Sequence, residues 1–579
     1  MNRTFPIIAG LGTVAAIGAA AYFAAPSGDR AGRAQQQAVV CKNDEAGLSL
    51  PPGFCATIFA DNVGHARHMA VAADGTVYVN TWMSRYFRTP PPEGGFIVAL
   101  RDEDGDGKAE RIERFGTASA GDEMGGGTGI AIWKDGLFVQ VDDRIVRYQL
   151  REGEAVPSAE PTVILQNLRM DGDHMMKAIA IDEAGNLFIN SGSPSNVCEQ
   201  ANRQPGSPGK DPCDELEQYA GIWKYSAAQT GQTYSASERY ATGIRNTGGI
   251  TFDGSGRMFA MQHGRDQLSQ NWPDLYTTQL GVDLPAEELL LVNEGDDFGW
   301  PYCYYDGFQN KRVLAPEYGG DGGKAIGRCA DKQDPAAIYP AHWAPTDLAF
   351  YAGGQFPAAY KGGVFIAFHG SWNRAPMPQD GFNVVFQPLA DGRDSGEWIL
   401  FADGFAGPDK ASGKALNRPT GVAVGGDGAL YISDDVHGRI WKVTYQGAAD
   451  APLAAASPAA QGTADAPAAG AGGEGPLPEG FTAEQVALGN RIYHGLERSG
   501  TCAGCHGADG AGGTLGPALT GERWLWGDGS VESLARVIAE GIVTPKEYAT
   551  GMPARGGSNL SDEDIRAVAA YVWTLGQKE

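Results

Sequence analysis

A degenerate repeat constrains the fold of this chain more than any other feature. Each copy has a short apolar run, a turn rich in Gly and Asp, and a second apolar run, which is the pattern of a β-hairpin. The six copies begin at Met69, Gly129, Ala178, Gly249, Asp347 and Gly421. Six hairpin units over about 400 residues predict an all-β, six-bladed β-propeller. A β-sandwich is the alternative, and it explains six like units less well.

A change in composition separates this region from a smaller domain. Residues 446–478 are dominated by Ala, Gly and Pro and contain no aromatic residue, which is typical of a flexible linker. We therefore predict the propeller at 40–445, the linker at 446–478 and a small all-α domain at 479–579. In that domain Thr482, Ser530 and Ser561 each begin a predicted helix, the last with a capping box to Asp564.

The first residues predict export from the cytoplasm. A short positive region, Met1–Thr4, precedes an apolar run from Phe5 to about Pro26. That run is long for a cleaved signal and just long enough to span a bilayer. Residues 1–30 are therefore predicted to be either a signal peptide or an N-terminal membrane anchor.

Cysteine usage agrees with export. Six of the eight cysteines form three pairs that are close in sequence, which are Cys41 with Cys55, Cys198 with Cys213, and Cys303 with Cys329. In an exported protein these pairs predict three disulfides, and scattered buried thiols are the alternative.

The other two cysteines belong to the motif with the clearest chemistry, Cys502-Ala-Gly-Cys505-His506. Thiols at this spacing reach both vinyl groups of one porphyrin, and the adjacent His506 can ligate the iron. A redox pair or half of a zinc site also contains C-x-x-C. The following histidine and the lack of a second C-x-x-C argue against both. The motif predicts covalently bound haem c, and therefore electron transfer.

A second axial ligand to the haem iron is expected after the linker. Met552 is the only methionine in that part of the chain, and it precedes the last predicted helix. The stretch Thr550-Gly551-Met552-Pro553 resembles the distal loop of class I cytochromes c. His494 competes from the first predicted helix. We expect Met552 to be the ligand, and a thioether ligand raises the haem potential.

Several stretches of the propeller region resemble one known family. They are Gly172-Asp173-His174, Gly243-Ile-Arg245-Asn246, His263-Gly264, Asn293 to Pro301, His369 to Arg374, and Asn417-Arg418-Pro-Thr-Gly-Val. In this order they are similar to the soluble quinoprotein glucose dehydrogenases, most of all to the sorbosone dehydrogenase branch. The similarity covers about residues 48–445. It implies a six-bladed propeller that holds pyrroloquinoline quinone (PQQ) and calcium and oxidises sugars.

The resemblance also implies catalytic roles. His174 is expected to take the proton from the substrate hydroxyl, because a neutral imidazole suits that role near neutral pH. Asp173 is expected to orient the ring of His174. Arg245 is expected to stabilise the charge that grows on the quinone oxygen. Asn246 is expected to hold the same edge of the cofactor.

Further residues are implied to bind the cofactor and its metal. PQQ is a tricarboxylate and needs fixed cations, for which Arg418 matches the family and Arg374 is a weaker match. The backbone carbonyls of Gly264 and Arg265 are expected to bind calcium, which prefers oxygen ligands. The glucose dehydrogenases have Pro where this chain has Arg265. His342, Trp343 and Trp372 are candidates for the mouth of the pocket.

An acidic loop offers a second candidate calcium site. Asp102, Asp104, Asp106, Gly107 and Glu113 match the pattern D-x-D-x-D-G-x5-E, but the flanking residues predict strands instead of helices. The alternatives are a calcium-binding hairpin tip and a solvated acidic turn.

We therefore predict a periplasmic quinohaemoprotein, tethered to the inner membrane if the N-terminal segment is retained. It is expected to be a PQQ-dependent sugar or sorbosone dehydrogenase that oxidises a hydroxy or aldehyde substrate. Electrons would pass through haem c to an external acceptor, either a soluble cytochrome or the membrane respiratory chain. A calcium-dependent, lactonase-like hydrolase and a non-catalytic propeller that docks a redox partner are the alternatives. The net charge of −25 argues against a nucleic-acid partner.

Overall fold

A computed structural model describes most of the chain. The described residues are 41, 46–83, 93–117, 125–375, 377–454, 476–494, 502–507, 510–512, 516–521, 523–548, 551–558 and 560–577. The predicted export segment, residues 1–30, lies outside them, as does most of the predicted linker. Within the described residues, no helix combines the length and apolar character needed to cross a membrane.

Six antiparallel sheets form the larger part of the fold, and each contains four principal strands. We number the sheets as blades 1 to 6 and give their strands from the inner to the outer edge. Blade 1 contains Ala66–Val71, Val77–Met83, Ile97–Arg101 and Arg111–Phe115. Blade 2 contains Ile130–Trp133, Gly136–Val141, Arg144–Gln149 and Thr162–Gln166. Blade 3 contains Ile179–Ile181, Asn186–Ser191, Gly221–Ser226 and Arg239–Thr242. Blade 4 contains Thr247–Phe252, Met258–Gln262, Glu287–Val292 and Ala337–Tyr339. Blade 5 contains Pro345–Phe350, Val364–Phe368, Asn383–Gln387 and Ile399–Ala402. Blade 6 contains Pro419–Val424, Leu430–Asp434, Ile440–Tyr445 and Phe54–Ala60.

The inner strands close a ring. Each inner strand packs against the inner strands of the two neighbouring blades, and blade 6 packs against blade 1. The predicted six-bladed propeller is therefore confirmed. The repeat coincides with the first hairpin of every blade, since Met69 pairs with Val79, Ile130 with Val139, Ile179 with Ile189, Ile250 with Ala260, Leu348 with Ile366, and Val422 with Ile432.

The ring is completed by the first strand of the propeller. Phe54–Ala60 forms the outer strand of blade 6 and pairs antiparallel with Ile440–Tyr445. Phe54 anchors it, because its ring lies 4.8, 5.3 and 4.9 Å from the rings of Phe356, Tyr360 and Phe401. Burying a phenylalanine side chain contributes about 1.5–3 kcal/mol. This strand therefore joins the two ends of the propeller.

Short elements decorate the blades. They are the strands Gly125–Gly126, Gln232–Thr233, Cys303–Asp306, Lys311–Leu314, Leu389–Ala390 and Arg393–Asp394, and the helices Leu268–Asn271 and Thr278–Asp283. Short 3₁₀ helices cover Asp214–Glu217, Ala236–Glu238, Pro316–Tyr318, Gly327–Cys329 and Ala358–Tyr360. The three predicted disulfides are confirmed, and they join Cys41 to Cys55, Cys198 to Cys213, and Cys303 to Cys329.

The C-terminal region is helical, as predicted. Its helices are Ala483–Tyr493, Cys502–His506, Val531–Glu540 and Asp562–Gly576, with a 3₁₀ turn at Ala554–Gly557. Thr482, Ser530 and Ser561 cap three of them, and Ser561 with Asp564 forms the predicted capping box. The first and last helices pack through Tyr493 and Tyr571, whose rings lie 5.3 Å apart. The buried apolar side chains of these helices form a hydrophobic core of their own.

Candidate functional site

One cavity of about 960 Å³ lies where the inner strands of the propeller begin and continues to the C-terminal helices. Residues 39–579 form one compact unit. Part of the charged wall of the cavity consists of residues at or just before the inner strands. They are His65 and Arg67 in blade 1, Asp173 and His174 in blade 3, Arg245 and Asn246 in blade 4, and Arg418 in blade 6. The fold thus brings residues from separate blades to one site.

His174 presents one nitrogen as a base. Its Nδ1 lies 2.7 Å from the carbonyl oxygen of Ser193. A carbonyl only accepts, so Nδ1 carries the hydrogen and Nε2 keeps the lone pair in the neutral ring. Burial, and next the positive charge of Arg245, lower the pKa of His174 to about 3. The ring is therefore neutral near pH 7.

Asp173 does not accept a hydrogen bond from the Nδ1–H of His174. Instead its Oδ2 accepts from Nε of Arg203 at 2.9 Å and from Asn202 at 3.3 Å. Burial raises the pKa of Asp173, but the charges of Arg203 and His174 outweigh it and hold the pKa below the usual range. Asp173 is thus an ionised carboxylate beside the base, and Ser193 takes the orienting hydrogen bond.

Arg245 is held by four hydrogen bonds. Nε and Nη2 donate to the carbonyl and side-chain oxygens of Asn196, Nη1 donates to the Gly264 carbonyl, and Nη2 also donates to Asp266 at 2.8 Å. A guanidinium has five N–H groups. Among the described residues, one Nη1 hydrogen is therefore left for a ligand in the cavity.

Asn246 carries an unsatisfied acceptor. Its Nδ2 lies 3.3 Å from Nδ1 of His263, whose Nε2 lies 2.6 Å from the Pro345 carbonyl oxygen. That carbonyl fixes the hydrogen on Nε2, so Nδ1 of His263 accepts from the amide. Oδ1 of Asn246 is buried without a hydrogen-bond partner among the described residues. Buried polar atoms are rarely left unpaired, so this atom suits a bound donor.

A second cationic group faces the other side of the cavity. Asp435 accepts from Nη1 of Arg67 at 2.6 Å and from Nε2 of His369 at 3.0 Å. Arg418 donates to the carbonyls of His369 and Gly370. Nε of Arg67 is buried and has no partner among the described residues. Two guanidinium groups are thus fixed here around one carboxylate.

Of the two residues whose carbonyl groups were predicted to bind calcium, only Gly264 lines the cavity. The N–H of Gly264 donates to Oε2 of Glu287 at 2.8 Å. Burial raises the pKa of Glu287 to about 8. Arg265 is outside the described lining, and its side chain forms a buried ion pair with Glu317 at 2.5 Å. Gly264 and Glu287 therefore both line this part of the cavity.

Arg374 is not brought into the cavity. Its Nη1 donates to the carbonyls of Val282 and Ala341, and the residue is absent from the described lining. Of the three mouth candidates, His342 and Trp372 line the cavity. Trp343 instead packs between the rings of Phe368 and Trp398, at 5.3 and 5.4 Å.

The acidic loop differs from its predicted ligand set. Carboxylates of Asp102, Asp104, Asp106 and Glu110 lie within 4.8 Å of one another. Glu113 instead forms an ion pair with Arg111 at 2.7 Å. The position of Glu113 on the strand Arg111–Phe115 explains why it turns away from the loop.

The opposite end of the cavity contains the haem-attachment motif. Cys502, Cys505 and His506 line it, and both cysteines are free thiols. Nδ1 of His506 lies 2.9 Å from the Pro517 carbonyl, so Nδ1 carries the hydrogen and Nε2 is available for a metal. The wall here is mainly apolar and includes Leu534, Val537, Ile538, Val568 and Val572.

Met552 lines the same end of the cavity, and its backbone pairs with Ile542. His494 is absent from the described lining. It packs against the ring of Tyr571 at 5.9 Å, and its Nδ1 lies 2.9 Å from the Asn490 carbonyl. The arrangement favours Met552 over His494 as the second iron ligand.

Sequence reasoning missed six acidic or basic residues that line the cavity, which are Arg67, Arg203, Asp266, Glu287, Asp435 and Glu540. Asp266 follows His263 and Gly264 closely, and Asp435 directly follows the strand Leu430–Asp434. Their positions beside a motif and a strand end were usable signals. Arg203 lies in the loop between Cys198 and Cys213, where no sequence pattern marks it.

Comparisons with known proteins agree with a two-domain chain. The family described as TrAA12-like matches residues 48–446. The family described as cytochrome c oxidase, cbb3-type, subunit III matches residues 484–572.

Two relatives match part of the chain. An uncharacterised protein of Borreliella burgdorferi is 29% identical over 219 residues, which are 36% of this chain and 49% of that protein. A pyrroloquinoline quinone-dependent pyranose dehydrogenase of Coprinopsis cinerea is 29% identical over 234 residues, 34% of this chain and 30% of that protein. The chain thus spans about half or less of the length of these relatives.

Solved structures share the fold. The PQQ domain of the Coprinopsis cinerea pyranose dehydrogenase, in its holo form, superposes with a TM-score of 0.54 at 17% identity. The match covers 69% of this chain and 97% of that domain.

Proposed function

The chain belongs to the TrAA12-like family, and we propose that it is a quinohaemoprotein dehydrogenase that oxidises a sugar or a related hydroxy or aldehyde compound. The observation that carries this proposal is the shared cavity, which has a buried base and fixed cations at one end and Cys502, Cys505 and His506 at the other. A hydrolase would have no use for the second end.

The residues of the propeller end fit PQQ, a tricarboxylate with an ortho-quinone. Arg67, Arg203, Arg245 and Arg418 line the cavity. Three carboxylates oppose them, those of Asp173, Asp266 and Asp435, whose pKa values are lowered by neighbouring cations despite burial. Nε of Arg67 and Oδ1 of Asn246 lack partners among the described residues, which suits a polar ligand. Arg418, Arg245 and Asn246 are proposed to bind the cofactor, with Gly264 and Glu287 on the calcium side.

When bound, the quinone supplies a two-electron oxidant and the haem a one-electron carrier. Oxidation at a sugar hydroxyl also releases two protons. Nε2 of His174 is the proposed acceptor of the hydroxyl proton, because its hydrogen bond to Ser193 holds the other nitrogen as a donor. Asp173 and Asp266 hold negative charge near the ring that would become positive. Arg245 fixes a positive charge at the same wall.

The opposite end of the cavity fits a covalently bound haem. Cys502 and Cys505 are free thiols on one short helix, His506 offers Nε2, and Met552 faces the same space. Apolar walls suit a porphyrin. We propose that Cys502 and Cys505 would hold haem c and that His506 and Met552 would supply ligands to its iron, with electron transfer to an external acceptor, either a soluble cytochrome or a respiratory chain. A periplasmic location, with or without a membrane anchor, is part of the proposal.

The test uses the full chain with its haem attached, supplied with PQQ and calcium. Aldoses and sorbosone are added one by one, and the ferrous haem absorption bands are followed. We expect reduction by at least one substrate. The variant His174→Ala should lose 10²–10⁴-fold in rate, the usual contribution of a general base. Chemical reduction of its haem should be unchanged.

His437→Ala is the matched control, because His437 is exposed and absent from the described lining. It should keep the full rate. Lactone hydrolysis without haem reduction would support the hydrolase instead. If PQQ does not bind and no substrate reduces the haem, the propeller would be a non-catalytic module that docks a redox partner. Full activity of His174→Ala would remove His174 from the role of base.

A further inference from the structure

We infer that Arg203 is a positioning residue shared by the two ends of the cavity. Its guanidinium fixes Asp173 beside His174, and its positive charge acts on the haem-attachment motif. This inference rests on the proposed function, and it assigns one residue to the coupling between substrate oxidation and the haem.

The side chain of Arg203 donates three hydrogen bonds on the propeller side, from three of its five N–H groups. Nε donates to Oδ2 of Asp173 at 2.9 Å, Nη2 to Oδ2 of Asp266 at 3.0 Å, and Nη1 to Oε1 of Gln267 at 3.2 Å. Its side chain is 21% exposed. Charge-assisted hydrogen bonds of this kind are among the strongest in proteins. The guanidinium therefore sets the position of both carboxylates.

These contacts form a chain of alternating charge. Asp173 bonds Arg203, Arg203 bonds Asp266, and Asp266 bonds Arg245. Loss of Arg203 would leave Asn202, at 3.3 Å, as the side-chain donor to Asp173 among the described residues. Two carboxylates would then share the charge of Arg245. The environment of His174 would change although His174 itself makes no hydrogen bond to Arg203.

The backbone around Arg203 is built to hold it in place. The residue lies in the loop between Cys198 and Cys213, which a disulfide closes. Its backbone φ is +59°, and the N–H donates to Oε1 of Glu199 at 2.9 Å. A left-handed conformation is uncommon for a residue other than glycine and is found at functional sites. Gln267, its neighbour, has the same property at +62°.

The same two residues meet the C-terminal domain. A Cβ built on Gly557 would lie 3.1 Å from Nε2 of Gln267 and 3.8 Å from the carbonyl oxygen of Arg203. Gly557 ends the turn that follows Met552. Arg203, Cys502 and Cys505 line one cavity. A Cβ built on the preceding residue, Gly556, would lie 3.8 Å from Sγ of Cys502, so the same turn lies between Arg203 and the haem-attachment motif.

A positive charge at this place has a definite effect on a haem. It stabilises the reduced iron more than the oxidised iron, because the oxidised form carries one more positive charge. Arg203 therefore raises the haem potential and favours electron flow out of the propeller. It does so from the position in which it also orders the catalytic carboxylate.

The experiment compares Arg203→Gln and Arg203→Lys with the natural full chain, all with haem attached. The haem midpoint potential is measured by redox titration, with no substrate present. Arg203→Gln should have a lower potential, and Arg203→Lys should keep most of the natural value. With substrate, PQQ and calcium, Arg203→Gln should reduce its haem at least tenfold more slowly, with partial rescue in Arg203→Lys.

Arg328→Gln is the control for loss of one positive charge. Arg328 is exposed, pairs with Asp211 of the same Cys198–Cys213 loop, and is absent from the described lining. It should change neither quantity. An unchanged potential in Arg203→Gln would overturn the inference even if the rate falls, because Arg203 would then serve the propeller alone. If no substrate reduces the natural protein, the proposed function fails, and the potential still decides whether Arg203 acts on the haem.

Discussion

The two ends of the cavity use the same histidine geometry in opposite surroundings. His174 and His506 both donate from Nδ1 to a backbone carbonyl, of Ser193 and Pro517, and neither Nε2 has a hydrogen-bond partner among the described residues. Around His174 the wall is charged and tightly hydrogen-bonded, whereas around His506 it is apolar. A carbonyl acceptor fixes the tautomer in either case. The surroundings then decide whether the free nitrogen acts as a base or as an iron ligand.

The difference between the ends also separates their tasks. Fixed guanidinium groups suit a polyanionic cofactor and a reaction that moves protons. Apolar residues suit a porphyrin, whose potential rises in a dry environment. If this division holds, a change at one end should leave binding at the other end intact.

The largest effect is expected from removal of both thiols of the haem motif. In Cys502→Ala/Cys505→Ala the thioether bonds cannot form, so no haem should stay with the chain after denaturation. This is measured by haem staining of a denaturing gel. PQQ binding to the charged end should stay within twofold of the natural protein. Simultaneous loss of PQQ binding would show that the two ends do not act separately.

A smaller effect is expected from a cation of the charged end. Arg418→Ala removes a guanidinium that lines the cavity, and a hydrogen bond to a charged group contributes about 1.5–3 kcal/mol. PQQ affinity should fall by roughly 10- to 100-fold, as measured by titration of the haem-loaded protein. Arg374→Ala is the matched control and should change affinity less than twofold, since Arg374 bonds backbone carbonyls outside the cavity. Equal losses would restore Arg374 as a cofactor ligand.

The smallest effect concerns stability as a function of pH. Burial lowers the pKa of His174 to about 3, and of His263, His342 and His369 to about 4. Between pH 6.5 and 4 these rings are protonated in the unfolded chain and neutral in the folded one. Folded stability therefore falls as pH falls through this window, by at most about 1.4 kcal/mol per pH unit for each histidine.

Thermal unfolding of the protein without PQQ checks this linkage. The midpoint should fall less between pH 6.5 and pH 5 in His263→Gln than in the natural protein, and this comparison removes the opposing contribution of Glu287, whose pKa of about 8 in the folded protein adds stability as pH falls. Equal falls in the two proteins would contradict the lowered pKa of His263. The charged end would then be less buried than its hydrogen bonds indicate.

Much of the fold could be predicted from local sequence patterns. The six inner hairpins were predictable because alternating apolar residues and a Gly/Asp turn lie within a dozen residues of each other. The helix caps at Thr482 and Ser561 are equally local. Pairing of Phe54–Ala60 with Ile440–Tyr445 was not predictable, because no local pattern links strands so far apart in the chain.

The candidate site likewise contains residues that could be predicted from local motifs and residues that could not. His174, Arg245 and Cys505 stand in short motifs whose residue types indicate their chemistry. Arg374 shows the limit, since spacing from His369 does not reveal which way a side chain leaves its loop. Arg203 reaches Asp173, 30 residues before it, from the loop that the Cys198–Cys213 disulfide closes. Long-range contacts of this kind leave no trace in one sequence.

The strand Phe54–Ala60 completes blade 6 and joins the two ends of the propeller, which is therefore a closed ring instead of an open array of repeats. In an open array each unit can melt by itself, because it contacts only its neighbours. Here, release of Phe54–Ala60 would expose the edge of Ile440–Tyr445 and the aromatic group around Phe54 at once. The Cys41–Cys55 bond ties this strand to the chain before it and does not link it to Ile440–Tyr445. The seam therefore depends on strand pairing and apolar contact, and its opening would disturb blades 5 and 6 together.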